Sequence, residues 1–127
     1  MPAEIVAIPP PKLSSSLSAK EVREAEATVF LKYLGEEKSV FLMDEKGKTY
    51  DSMTFSKLIE QQMTSSVKNL IFLIGGAYGM GQKLKSKYKR TLRLSDLTLS
   101  HHLARTVLLE QLYRAYTILN NEPYHNK

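Results

Sequence analysis

The sequence predicts a single-domain α/β protein built on a parallel sheet. Three observations carry that prediction. Short apolar runs suited to buried strands alternate with helix patterns, the order expected of parallel strands joined by crossover helices. Residues 70–74 are five consecutive apolar residues, too short to span a membrane and suited to a strand covered on both faces. Gly75-Gly76-Ala77-Tyr78-Gly79 follows at once, where glycine permits φ > 0 and close approach to the backbone. Ligands of open α/β sheets bind at the carboxyl ends of the strands. A small-molecule pocket is therefore expected at residues 75–79, with residues 94–100 as its other wall.

The elements follow in order. Residues 3–8 read as a strand, stopped by the prolines at 9–11. The serines at 14–16 continue a loop. Ser18 and Glu21 have capping-box spacing and start a helix. Val22, Ala25, Val29 and Tyr33 form its apolar face, and Gly35 is its C-terminal stop. Residues 39–43 are the next buried strand, and residues 44–48 a polar turn. A helix begins near residues 52–54 with Phe55, Leu58, Ile59 and Met63 inward, and ends at 64–66. Residues 70–74 are a strand, and a short lysine-bearing helix runs to about Tyr88. Residues 91–94 form a strand with Leu92 and Leu94 inward. Ser100 caps a last helix over residues 101–120. That helix is apolar on two sides. Leu103 and Val107 lie on one, while Leu108, Leu112, Ala115 and Leu119 spread over another arc. Such a helix needs two partners, the sheet and a second copy of the chain, so a homodimer is expected.

Composition narrows the function. The 127 residues are 43% hydrophobic, enough for one domain with a core. With no spanning run and no signal-peptide pattern at Met1, a soluble cytoplasmic protein is expected, without a membrane partner. Zero cysteines exclude disulfides, thiolate metal sites and a cysteine nucleophile. The net charge of +5 suits an anionic partner without requiring one. Lys83, Lys85, Lys87, Lys89, Arg90 and Arg93 fall within residues 83–93 with no acid among them. They read either as a solvated helix face or as a track for nucleic-acid phosphates.

No hydrolytic constellation is present, since nothing resembles a Gly-x-Ser-x-Gly elbow. His101 and His102 are adjacent on a helix and do not share a face, so no metal site is expected. The pattern Gly-Gly-x-x-Gly is neither a dinucleotide fingerprint nor a P-loop, and a plain tight turn explains it as well as a phosphate site does.

Four stretches carry a family resemblance. They are residues 73–79, residues 94–101, residues 105–115 and Pro123-Tyr124-His125. Together they resemble the RlmH family, the ribosomal RNA large-subunit methyltransferases H of the SPOUT class. The match is specific over residues 70–127 and looser before them, where residues 40–48 fit the family's second ligand-binding strand and turn. The resemblance implies one SPOUT-like domain over residues 1–127 whose C-terminal part threads into a trefoil knot. The family's first strand and helix have no counterpart before Ala3, so either the true start lies upstream or the form is N-terminally short. It further implies a homodimer, S-adenosyl-L-methionine as methyl donor, and a pseudouridine of large-subunit (23S) rRNA in the assembled ribosome as substrate, methylated at N3. By carry-over, Leu42, Gly76, Ser95, Asp96, Leu97, Thr98, Leu99 and Ser100 would hold the donor.

The sulfonium is an activated electrophile, so the enzyme needs alignment, water exclusion and help in removing the N3 proton. His101, Arg105, Tyr124 and His125 are expected near the target base. Without the family, His101 reads as a helix-start residue and His125 as a loose tail. Lys83, Lys85, Lys87, Lys89 and Arg90 would hold RNA phosphates. Glu110 and Arg114 read as a structural pair. The chain departs from the family pattern at Ser100 and His102. It departs again after His125, where Asn126 replaces a basic residue and Lys127 follows one position late. A non-catalytic RNA- or ribosome-binding relative is the competing reading. An enzyme using another nucleotide cofactor is a third, disfavoured because no acidic residue ends a following strand to hold a ribose.

Overall fold

The computed structural model describes residues 3–9, 11–12, 14–65, 68–76 and 78–125. Seven elements follow one another: α1 (Ala19–Leu34), β1 (Val40–Met43), α2 (Ser52–Thr64), β2 (Ile71–Leu73), α3 (Gln82–Lys87), β3 (Thr91–Leu92) and α4 (His101–Leu119). The three strands form one parallel sheet in the order β2-β1-β3. Phe41 lies opposite Phe72, and Leu42 opposite both Leu73 and Thr91.

Strand pleating divides the core in two. Val40 and Leu42 face α1 and α3, joining Ala27, Leu34, Leu84 and Tyr88. Met43 and Phe72 face the other way, against Phe55 and Ile59 of α2 and Leu108 and Ala115 of α4. β1 is therefore apolar throughout because both of its faces are covered. Phe41 stacks on Phe72 at 5.6 Å, and the Arg90 guanidinium lies 4.4 Å from the centre of its ring.

Local signals set the helix boundaries. Ser18 and Glu21 form the expected reciprocal capping box, and Gly35 ends α1 at φ 53°. Asp51 caps α2, and Ser100 caps α4 by accepting from the Leu103 amide.

Three expectations need correction. Residues 3–8 form no strand, and Ile5 and Val6 are exposed; no ladder reaches this segment among the described residues, and extended chain without a partner is not a strand. The inward stripe of α1 is Ala27, Phe30, Leu31 and Leu34, not the stripe ending at Tyr33, which is 58% exposed. Both stripes have helical spacing, and packing between the sheet and α3 chose the more C-terminal one. Met63 is exposed because α2 has run past the sheet at its last turn. The expected end of α2 at 64–66 holds at Thr64, with Ser65 as C-cap, while Ser66 is outside the described residues.

Candidate ligand-binding cleft

All three strands run in one direction, so their carboxyl ends open on one side of the sheet. A cleft of about 870 Å³ lies there. One wall is the turn after β2. The Gly79 amide donates to the Gly76 carbonyl at 3.1 Å, and Gly79 has φ 84°. The opposite wall runs from Leu92 to Ala104 and includes Ser95, Leu97, Thr98, Leu99, Ser100 and His101. Met43 and Asp44 close the floor after β1, and Lys20 and Arg23 of α1 reach the rim.

The turn is held from behind by α1. Glu24 accepts from the Gln82 amide at the start of α3, and the Arg23 guanidinium donates to the Tyr78 carbonyl at 3.5 Å. A Cβ at Gly76 would lie 2.5 Å from Glu26 Oε2, and one at Gly81 only 2.7 Å from the Arg23 carbonyl oxygen. The missing side chain at Gly76 thus makes room for α1 rather than for a ligand. The motif is a tight turn that also forms one wall of the cleft.

Burial marks Glu26. Its Oε1 is buried with no hydrogen-bond partner among the described residues, and desolvation pushes its carboxyl above the usual value near 4.5. Nothing in the local sequence flags it; its position depends on how α1 meets the turn.

Electrostatically the cleft is mixed. Lys20, Arg23, Lys46, Lys85 and Arg93 face it, with Glu24, Asp44 and Glu45 among them. Such a site can pair with both ends of a zwitterion and offers carboxylates to sugar hydroxyls, while Met43, Ile74 and Leu99 supply apolar surface.

The sequence-predicted residues divide. Gly76, Ser95, Leu97, Thr98, Leu99, Ser100, His101 and Lys85 line the cleft. Leu42 does not: its side chain is fully buried between the sheet and α1, and its amide donates to the Arg90 carbonyl across the β1–β3 pair. Pleat alternation presents Met43 instead. Asp96 turns outward, 86% exposed, and pairs with Arg93 at 3.0 Å. Arg105 is exposed one turn beyond His101 and does not line the cleft.

Tyr124 and His125 dock elsewhere. Glu110 Oε1 accepts from Arg114 Nη2 at 2.6 Å and from the Tyr124 hydroxyl at 3.2 Å. Arg114 Nη1 lies 3.0 Å from His125 Nδ1. Guanidinium only donates, so Nδ1 accepts and the ring proton sits on Nε2. The hydrogen bond from Arg114, reinforced by its charge, holds the Glu110 carboxyl below its ordinary range. The expected Glu110–Arg114 pair is therefore also the anchor of the tail. It lies about 14 Å along α4 from His101, from the helical rise of about 1.5 Å per residue.

The basic segment does not form one track at the cleft. Lys83 and Lys87 face α1, donating to Thr28 Oγ1 at 3.1 Å and to the Gly35 carbonyl at 3.3 Å. Lys85, on the other face of α3, points to the cleft. Lys89 and Arg90 precede β3 and so sit at the amino-terminal end of the strands, opposite the cleft. Among the described residues no cluster of His, Cys, Asp and Glu could hold a metal ion, and no helix is long and apolar enough to cross a membrane.

Comparison with known proteins agrees in one direction. A family described as "Predicted SPOUT methyltransferase" matches residues 1–125. A protein of Parabacteroides distasonis is 40% identical over 100% of this chain and 81% of its own length. One from Phocaeicola vulgatus is 42% identical over 94% of this chain and 76% of its own. One from Syntrophotalea carbinolica is 39% identical over 100% and 81% respectively. All three bear the name ribosomal RNA large subunit methyltransferase H.

Proposed function

The chain belongs to the SPOUT methyltransferase family, and from that premise we propose that it methylates large-subunit ribosomal RNA with S-adenosyl-L-methionine held in the cleft between residues 75–80 and 92–104. The observation that carries this reading is the cleft itself. It sits at the carboxyl ends of three parallel strands, and its two walls are the stretches that resemble the family's donor-binding loops. The donor set suits the group: apolar Met43 and Leu99 for a base, Asp44 and Glu45 for ribose hydroxyls, and charges of both signs for the methionine part.

When bound, the donor supplies a methyl group activated by the sulfonium. The target proposed is N3 of a pseudouridine in 23S rRNA within the ribosome. Around it, the residues of the cleft would have to align that nitrogen with the methyl group, exclude water and take up the N3 proton. His101, which lines the cleft, would face the base. Arg105 follows it on α4, beside the route the RNA would take.

Tyr124 and His125 cannot join His101 within one chain, because they dock on the far half of α4. Their role requires a homodimer in which α4 of one copy packs near that of the other, bringing the tail of one to the cleft of its partner. Exposed Leu103, Tyr113, Tyr116 and Tyr124 provide apolar surface for that contact. Residues 1–127 then act as one catalytic unit whose C-terminal half would thread into the trefoil knot. Of the basic residues, Lys85 would contact an RNA phosphate at the cleft, while Lys83, Lys87, Lys89 and Arg90 would meet RNA only on other faces of the chain.

The deciding experiment is calorimetric titration of the purified chain with S-adenosylmethionine, followed by methylation of unmodified ribosomes. One donor site per chain or per dimer, competed by S-adenosylhomocysteine and not by NAD, is expected. A folded protein that binds ribosomes without binding the donor would establish the non-catalytic reading instead.

A further inference from the structure

A second cavity, of about 290 Å³, shares Leu92, Arg93 and Leu94 with the cleft as a common wall. It opens between the start of α2 and the middle of α4, on the other side of that wall from the cleft. Its lining is of three kinds. Tyr50 and Phe55 present two aromatic rings, edge to face at 6.4 Å. Val107 adds apolar surface. Polar groups complete it: the Ser52 hydroxyl, which donates to Gln111 Oε1 at 2.8 Å, and the Arg93 guanidinium.

Arg93 is the informative residue. Its Nη2 holds Asp96, and its amide donates to the Lys48 carbonyl at 2.8 Å. Its Nε is buried and has no acceptor among the described residues. A buried donor without a partner is a group for which native structures normally provide one.

We propose that this cavity receives one unpaired nucleobase of the RNA, next to the nucleotide held at the cleft; the inference rests on the methyltransferase reading given above. An unstacked base needs an aromatic face together with donors and acceptors at its edge, and this lining offers both. A bare phosphate fits less well, because Asp51 also lines the cavity. A purely apolar ligand would leave the Arg93 Nε still without a partner. The size suits one base with its sugar and little more. The common wall is one extended backbone segment, so neighbouring nucleotides of a strand fit on its two sides.

The test uses the full chain and purified ribosomes. Val107→Phe fills the cavity, and Tyr50→Ala removes one of its rings; neither residue lines the cleft. Both variants are expected to bind S-adenosylmethionine as the native chain does, which also reports that they fold. Both are expected to raise KM for ribosomes about tenfold with kcat little changed, the mark of lost substrate binding. A photoreactive p-benzoylphenylalanine at position 50 is expected to cross-link to rRNA. Cross-linking only to a second copy of the chain would make the cavity part of a protein interface and overturn the proposal. So would the absence of any cross-link, or unchanged KM in a variant that binds the donor. A native chain that fails to methylate ribosomes would instead sink the methyltransferase reading from which the proposal starts.

Discussion

At the scale of single residues, Glu26 and Glu110 show opposite uses of a carboxylate. Burial raises the Glu26 carboxyl, so the folded chain binds this proton more tightly than the unfolded chain does. Its contribution to stability is fully present below the unfolded value and is lost as pH rises through the raised one. Glu26→Gln is therefore expected to raise Tm at pH 7, with the gain vanishing below about pH 4; melts across that range check it, and a gain that persists in acid would mean another cause. Arg114 lowers the Glu110 carboxyl, so its contribution is present above the unfolded value and is lost as pH falls through the depressed one. Acidification, or Glu110→Gln at neutral pH, should release the tail. Faster amide hydrogen exchange at residues 122–125 would report that release. For the chemistry, His125→Ala is expected to keep donor affinity and lose most methyl transfer; full activity in that variant would remove His125 from the mechanism.

At the scale of elements, the cleft depends on how closely α1 approaches the turn and α3. Gly81 is the least yielding point, since an added Cβ would meet the Arg23 carbonyl and the Ala27 Cβ at 2.7 and 2.9 Å. Neither can move without shifting α1. Gly81→Ala should therefore cost about 1–3 kcal/mol, the usual range for overpacking, and weaken donor binding as the turn is displaced. Chemical denaturation and donor titration of the same variant would separate the two effects. On the other face, Leu108 ties α4 to α2 and the sheet. Leu108→Ala should destabilise by about 2–5 kcal/mol, as large-to-small core changes do. Much at this scale was legible beforehand. Ser18, Gly35 and Ser100 announced helix ends through backbone chemistry that acts locally. The inward face of α1 was not legible, because two stripes have helical spacing and only the neighbours choose between them.

At the scale of the whole molecule, one chain leaves its polar residues in two groups. His101 stands at the cleft, and Tyr124 and His125 stand with Glu110 and Arg114 at the far half of α4. The homodimer proposed above would combine them. Sedimentation at micromolar concentration should give twice the chain mass of 14.4 kDa. A charge placed in the apolar stripe, as in Tyr113→Asp, should yield monomers that bind the donor but transfer little methyl. A monomeric native chain with full activity would contradict this arrangement.

The sequence by itself determined the α/β class, the strand–helix alternation, the helix caps and the two loops that face each other across the cleft. These follow from hydrophobic period, capping chemistry and glycine placement, all of which act over a few residues. Tertiary structure alone decided the rest. It turned Met43 rather than Leu42 toward the cleft, sent Asp96 to solvent, and split the lysines between α1, the cleft and the opposite end of the sheet. It also set Glu26 behind Gly76 and the tail on Glu110. Pleat phase, helix rotation and contacts between distant segments govern these outcomes, and none of them leaves a mark in the spacing of neighbouring residues.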